Sequence, residues 1–104
     1  TSVPKDRFEV LRGKEFIHWY SSSEWITWGF CSNCGSPLGM RAADGHGVMI
    51  GTLDHTEEWP PNEAHTGIES QIPWNVIHDD LPRTRTEEDA KVNAAKESAE
   101  RLKG

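Results

Sequence analysis

The sequence predicts a small, mainly β domain closed by one carboxy-terminal α-helix. Three observations predict it. Aromatic and apolar residues alternate with polar ones at a period of two through much of the first half of the chain, the pattern of a pleated strand. Both cysteines fall in one tight turn at the end of such a run, Phe30-Cys31-Ser32-Asn33-Cys34-Gly35-Ser36-Pro37-Leu38. From Thr84 onward the composition shifts abruptly to charged residues and alanine, with apolar positions recurring at three and four.

Taken in order, Arg7 to Leu11 puts Phe8 and Val10 on one face of a short strand that Gly13 ends. Glu15 to Tyr20 alternates Phe16, His18 and Tyr20 against Ile17 and Trp19, a strand with side chains to bury on both sides. Ser21-Ser22-Ser23 is its turn. Trp25 to Phe30 then carries the chain into the cysteines, and Leu38 to Ala42 leads away from them. Strand, Cys-x-x-Cys-Gly turn and strand make a zinc-ribbon-like knuckle, in which Gly35 supplies the positive φ commonly needed just past the second ligand.

Ala43-Asp44-Gly45-His46-Gly47 is a turn whose glycines tolerate left-handed backbone, and Val48 to Leu53 is the next strand. Asp54 to Asn62, with Trp59-Pro60-Pro61, is a loop. His65 to Ser70 and Gln71 to Ile77 form two further short strands with an edge or bulge at Pro73. Asp79-Asp80-Leu81-Pro82 closes the β body, so residues 1–83 form the domain and 84–104 the helix. Thr86 caps that helix, Glu87-Glu88-Asp89 place negative charge at its start, Arg101 and Lys103 place positive charge at its end, and Gly104 terminates it. Its stripe, Val92, Ala95, Ala99 and Leu102, is thin: it suits docking on the body, pairing with another chain, or a solvated helix.

Composition excludes several functions. A net charge of -6 without any basic stripe repels a phosphate backbone, which removes nucleic acids and anionic membranes as partners. No apolar run approaches the ~20 residues of a transmembrane helix, and the amino end has no signal-peptide core. Two cysteines this close contribute little as a structural disulfide, so the chain reads as cytoplasmic. At 104 residues it is one domain, of a size at which a metal or partner chain often supplements the core.

For Cys31 and Cys34 the first reading is metal binding, thiolates favouring zinc, with a redox dithiol and two inert thiols as alternatives. A redox pair usually sits at a helix amino terminus, and no helix follows here. His18, His46, His55, His65 and His78 are the other good zinc ligands, but none shows paired spacing with another, and the plain reading of each is a hydrogen-bonded or exposed ring. A symmetric dimer would complete a four-thiolate site from Cys31 and Cys34 of two chains. Trp19, Trp25, Trp28, Trp59 and Trp74 read as core before they read as a ligand pocket. Adjacent Asp79 and Asp80 mark a turn rather than an acid–base pair with Asp54.

Six fragments, in this order and spacing, carry a resemblance: Val-Pro-Lys-Asp-Arg-Phe (3 to 8), Gly-Phe-Cys-Ser-Asn-Cys-Gly-Ser-Pro-Leu (29 to 38), Gly-Thr-Leu-Asp (51 to 54), Pro-Asn-Glu-Ala-His (61 to 65), Pro-Trp (73 to 74) and Asp-Asp-Leu-Pro (79 to 82). Together they resemble the carboxy-terminal two-thirds of the glutathione-dependent formaldehyde-activating enzyme (GFA) family, which includes the centromere protein V relatives. The resemblance implies a β-tent of small curled sheets and a carbon–sulfur lyase class of activity, joining formaldehyde to glutathione as an S-hydroxymethyl adduct. It implies that Cys31 and Cys34 are half of a structural zinc site, whose other half is a Cys-x-Cys on an amino-terminal strand. A Cys-x-Cys-x-x-Cys trio holds the family's catalytic zinc. Neither element occurs in these 104 residues, so the resemblance implies a catalytically incomplete domain whose unpaired sheet edge invites a homodimer. The alternative is a zinc-stabilised module that binds a partner or a small thiol such as glutathione.

Overall fold

The computed structural model describes residues 1–103. Five strands form one antiparallel sheet: β1 (Ser2–Pro4), β2 (Ile17–Ser21), β3 (Thr27–Cys31), β4 (Pro37–Ala42) and β5 (Gly45–Val48), in the spatial order β1-β5-β4-β3-β2. The serines turn β2 into β3 as expected, with the backbone N–H groups of Trp25 and Ile26 both donating to Ser23 Oγ at 3.2 Å. The cysteine turn joins β3 to β4, and Ala43-Asp44 joins β4 to β5. Thr1 extends the outer ladder through reciprocal bonds with Val48.

Register decides what each face of the sheet carries, because residues directly opposite in an antiparallel pair point the same way. Trp19 lies opposite Gly29, Gly29 opposite Gly39, Thr27 opposite Arg41, and Arg41 opposite His46. On this face the Arg41 guanidinium sits 4.0 Å from the Trp19 ring centroid, and Phe8 stacks on His46 at 4.4 Å. The other face carries His18 opposite Phe30, Tyr20 opposite Trp28, and Trp28 opposite Met40.

The segment expected as a first strand is instead a 3₁₀ turn, Lys5–Arg7, followed by irregular chain. It crosses the first face rather than joining an edge, so its alternation serves to pack Phe8 downward and no ladder forms. The strand expected over Val48 to Leu53 stops at Val48, and a 3₁₀ turn occupies Ile50–Thr52. Gly45 and Gly47 are extended rather than left-handed. Their value is close approach: a Cβ on Gly45 would lie 2.6 Å from Val3 O.

Of the two strands expected between 65 and 77, only β6 (His65–Thr66) exists, paired in parallel with β7 (Arg83–Thr84). Gly67 at φ 67° ends it, a 3₁₀ turn follows at Ile68–Ser70, and Pro73 lies in a turn. Strand β7 crosses the expected boundary between body and helix. The helix α1 (Ala90–Lys103) begins later than Thr86, which lies in a 3₁₀ turn, Thr86–Glu88. Asp89 is the cap, its Oδ1 accepting from the N–H of Lys91 at 2.8 Å. Gly104, expected to terminate the helix, lies outside the described residues.

The tryptophans do not form the expected core. Trp28, Trp59 and Trp74 are exposed, and Trp19 and Trp25 only half-buried. Among the described residues no large side chain is fully buried, and Ala95 on the helix is the one buried apolar residue. The helix rests by that alanine and by two contacts to the serine turn, Lys96 over Trp25 at 4.6 Å and Lys103 with Glu24 at 3.2 Å. One sheet cannot bury both of its faces without a second layer, so alternation alone does not place these aromatics in a core.

Candidate metal centre

The knuckle is built by its backbone. Cys31 N donates to Ser36 O at 2.9 Å, Gly35 N donates to Cys31 O at 2.7 Å, and Ser32 N donates to Phe16 O at 2.8 Å. Gly35 sits at φ 80°, the left-handed conformation expected for it, which lets the chain reverse inside four residues. Cys31 is half-buried at the end of β3 and Cys34 is exposed on the turn; neither is in a disulfide. The Cys34 thiol lies 3.3 Å from Ser36 Oγ. That hydroxyl, then the Ser36 backbone and Cys31, hold the Cys34 pKa below the ordinary thiol value.

A lowered thiol pKa favours the thiolate, the form that binds a metal. Two thiolates in such a turn fit two corners of a tetrahedral zinc site. The rest of a site is missing: among the described residues no group of three or more His, Cys, Asp or Glu side chains could hold a metal ion. The pair by itself therefore fits half of a tetrahedral zinc site.

Four of the five histidines are engaged elsewhere or exposed. His18 is exposed beside Phe30, His55 is exposed near Glu57, and His78 is exposed. His46 is held under Phe8, and burial first, then Arg41 and Lys5, push its pKa down.

His65 is the exception, because it belongs to a second cluster. Its Nε2 lies 2.7 Å from Asp79 Oδ2. Asp79 Oδ1 accepts from the N–H of Leu81 at 2.9 Å, the local turn expected for this aspartate, and faces Arg83 Nη1 at 3.3 Å. Arg83 donates in turn to the carbonyls of Ile77 (2.7 Å), Asp79 (3.1 Å) and Leu81 (2.7 Å). The His65 hydrogen bond, then the Leu81 N–H and the charges, hold the Asp79 pKa below the usual carboxylate value. This clamp ties the 67–82 loop to the β6–β7 pair and walls a cleft of about 340 Å³, lined also by Ser70, Gln71 and Asn75. Sequence spacing gives no sign of it, since His65 and Asp79 stand fourteen positions apart. Asp54 and Asp80 are exposed and take no part.

No helix among the described residues is long and apolar enough to cross a membrane. Comparison with protein families, with curated proteins and with solved structures finds no match to this chain.

Proposed function

We propose that this chain is a zinc-holding β module of the GFA type that does not itself carry out that family's carbon–sulfur chemistry. The observation that carries the reading is the knuckle, in which two free thiols, one with its pKa lowered, are set by backbone hydrogen bonds and a left-handed Gly35. The order of the matched fragments around it supports the family assignment. Cys31 and Cys34 would hold the metal, whose charge would lock the turn and draw in further ligands. A catalytic zinc held by protein thiolates with an open position needs three ligands, and this sequence has two cysteines. A reducing compartment such as the cytoplasm suits thiols that must stay free for a metal.

The test is metal analysis of the purified chain, run beside an assay for the S-hydroxymethylglutathione adduct. Bound zinc that disappears in Cys31→Ser and Cys34→Ser, with no adduct formation above the uncatalysed rate, is the expected result. A chain that binds no zinc at micromolar metal defeats the knuckle reading, and turnover defeats the non-catalytic one. A second reading, a module that binds a small thiol such as glutathione, has the cleft beside His65 in its favour; glutathione titration followed by calorimetry decides it.

A further inference from the structure

The two sulfurs of the cysteine turn differ in access. Residues 32 to 37 are all exposed, Cys34 among them, whereas Cys31 is half-buried at the end of β3, opposite Ile17 of β2. A Cβ added at Gly35 would meet nothing within 4 Å, so the space beside Cys34 is open. The two thiols nonetheless interact, Cys31 serving as a hydrogen-bond partner of Cys34 across the turn. The bonds from Cys31 N to Ser36 O (2.9 Å) and from Gly35 N to Cys31 O (2.7 Å) hold the turn closed, and with it the sulfurs near each other.

A sulfur that holds a metal does so as a thiolate, and the thiolate is also the form that attacks a disulfide. Metal binding and oxidation therefore compete for the same two atoms. The oxidised form is a disulfide with only Ser32 and Asn33 between its cysteines, a ring so short that it restrains the unfolded chain little and stabilises the fold little. An exposed bond of that kind belongs to the labile class that small thiols reduce again, which suits a reversible device better than a permanent cross-link.

We propose that Cys31 and Cys34 form a redox-sensitive metal switch, holding zinc when reduced and releasing it when oxidised to an intramolecular disulfide. The proposal rests on the zinc reading of the knuckle and adds its regulation. The oxidant is a low-molecular-weight disulfide. Cys34 Sγ, the accessible sulfur, attacks one sulfur of that disulfide, so that a mixed disulfide forms and one half of the oxidant leaves as a thiolate. Cys31 Sγ then attacks Cys34 Sγ, which makes the Cys31–Cys34 bond and expels the other half. The cysteines lose two electrons, the oxidant gains them, and two protons from the medium convert its halves to thiols. Neither cysteine is then a thiolate, so the metal loses two ligands, whatever its others are.

The test uses the 104-residue chain, reduced and loaded with zinc, then treated with bis(2-hydroxyethyl) disulfide. A chromogenic chelator reads released metal against an oxidant-free control, and mass spectrometry reads the protein. The expected result is zinc release in step with loss of two hydrogens from the protein mass, with zinc binding restored by dithiothreitol. In metal-free protein, Cys31→Ser should stop at a stable mixed disulfide on Cys34. Cys34→Ser should react at least about tenfold more slowly than the parent, since only the half-buried sulfur remains. If either variant fails to fold, peptide mapping of the parent, quenched early in the reaction, locates the first adduct instead. A parent that binds zinc but keeps it, stays reduced or stops at a mixed disulfide overturns the switch and leaves the metal site standing. A first adduct on Cys31 overturns the order of attack, and a disulfide joining two chains overturns the intramolecular closure. A chain that binds no zinc overturns the metal reading and the switch with it.

Discussion

Replacing Gly39 by alanine would drive a methyl carbon into the carbonyl oxygen of Gly47, with Gly47 C at 3.2 Å and Val48 Cα at 3.3 Å. All three obstacles are backbone of β5, a strand held on one side by β4 and on the other by β1, so no side chain can rotate away. Overpacking of this kind costs about 1–3 kcal/mol, and an obstacle made of ladder backbone places Gly39→Ala near the upper end, about 3 kcal/mol. For a domain of this size each kcal/mol lowers Tm by roughly 4–8 °C, so a drop of at least about 10 °C is expected. Gly35→Ala is the control. A Cβ there meets nothing within 4 Å, yet φ is 80°, and left-handed backbone costs a residue with a Cβ about 1–2 kcal/mol. Crowding should therefore outweigh dihedral strain. Thermal unfolding of both variants, with chelator present so that metal does not intervene, reads the order directly. A Gly39→Ala chain melting within about 2 °C of the parent, or above Gly35→Ala, would refute the β4–β5 register.

Two further substitutions probe the clusters. Asp79 titrates below its ordinary value of 3.8 because the folded chain hydrogen-bonds its carboxylate, so its stabilisation is complete above that value and is lost as pH falls through the lower, folded pKa. Asp79→Asn should therefore lower the denaturation midpoint by a constant amount at neutral pH, the gap from the parent closing only below pH 3.8; a gap independent of pH down to pH 2 would contradict the clamp. Ser36→Ala removes the largest cause of the lowered Cys34 pKa, so alkylation of Cys34 in metal-free protein near pH 8 should slow a few-fold while Cys31 is unaffected. Equal rates in the two proteins would show that the Ser36 hydroxyl does not stabilise the thiolate.

The sheet was legible where local signals agreed. Alternation around Ile17–Ser21 and Thr27–Cys31, the serine turn, and Cys-x-x-Cys-Gly each point to the structure they form, and every one of them is settled within a few residues. Arg7 to Leu11 alternates just as well but lies against a face of the sheet, and period two says only that one face is apolar, not that a partner strand exists. The helix start was misplaced because Thr86 and Asp89 are both good caps; the carboxylate nearer the apolar stripe won. His65, Asp79 and Arg83 come together through the parallel pairing of β6 with β7, two residues in each strand, and no window of sequence contains that pairing. The cysteine knuckle was the reverse case, a site whose geometry is wholly local.

The tryptophans show what such reasoning lacks. An alternating aromatic strand states that both faces of a sheet are apolar, and burial of apolar surface is the dominant favourable term in folding. It does not say which surface does the covering. On this sheet one face is partly covered by the same chain, through Phe8 on His46, while the face with Tyr20 and Trp28 stays open. The cysteine turn holds two free thiols, and among the described residues no third metal-ligating side chain gathers with them. Cys31 stands opposite Ile17 and faces with Trp19 and Gly29, away from Tyr20 and Trp28, so the open face and the cysteine turn call for different neighbours.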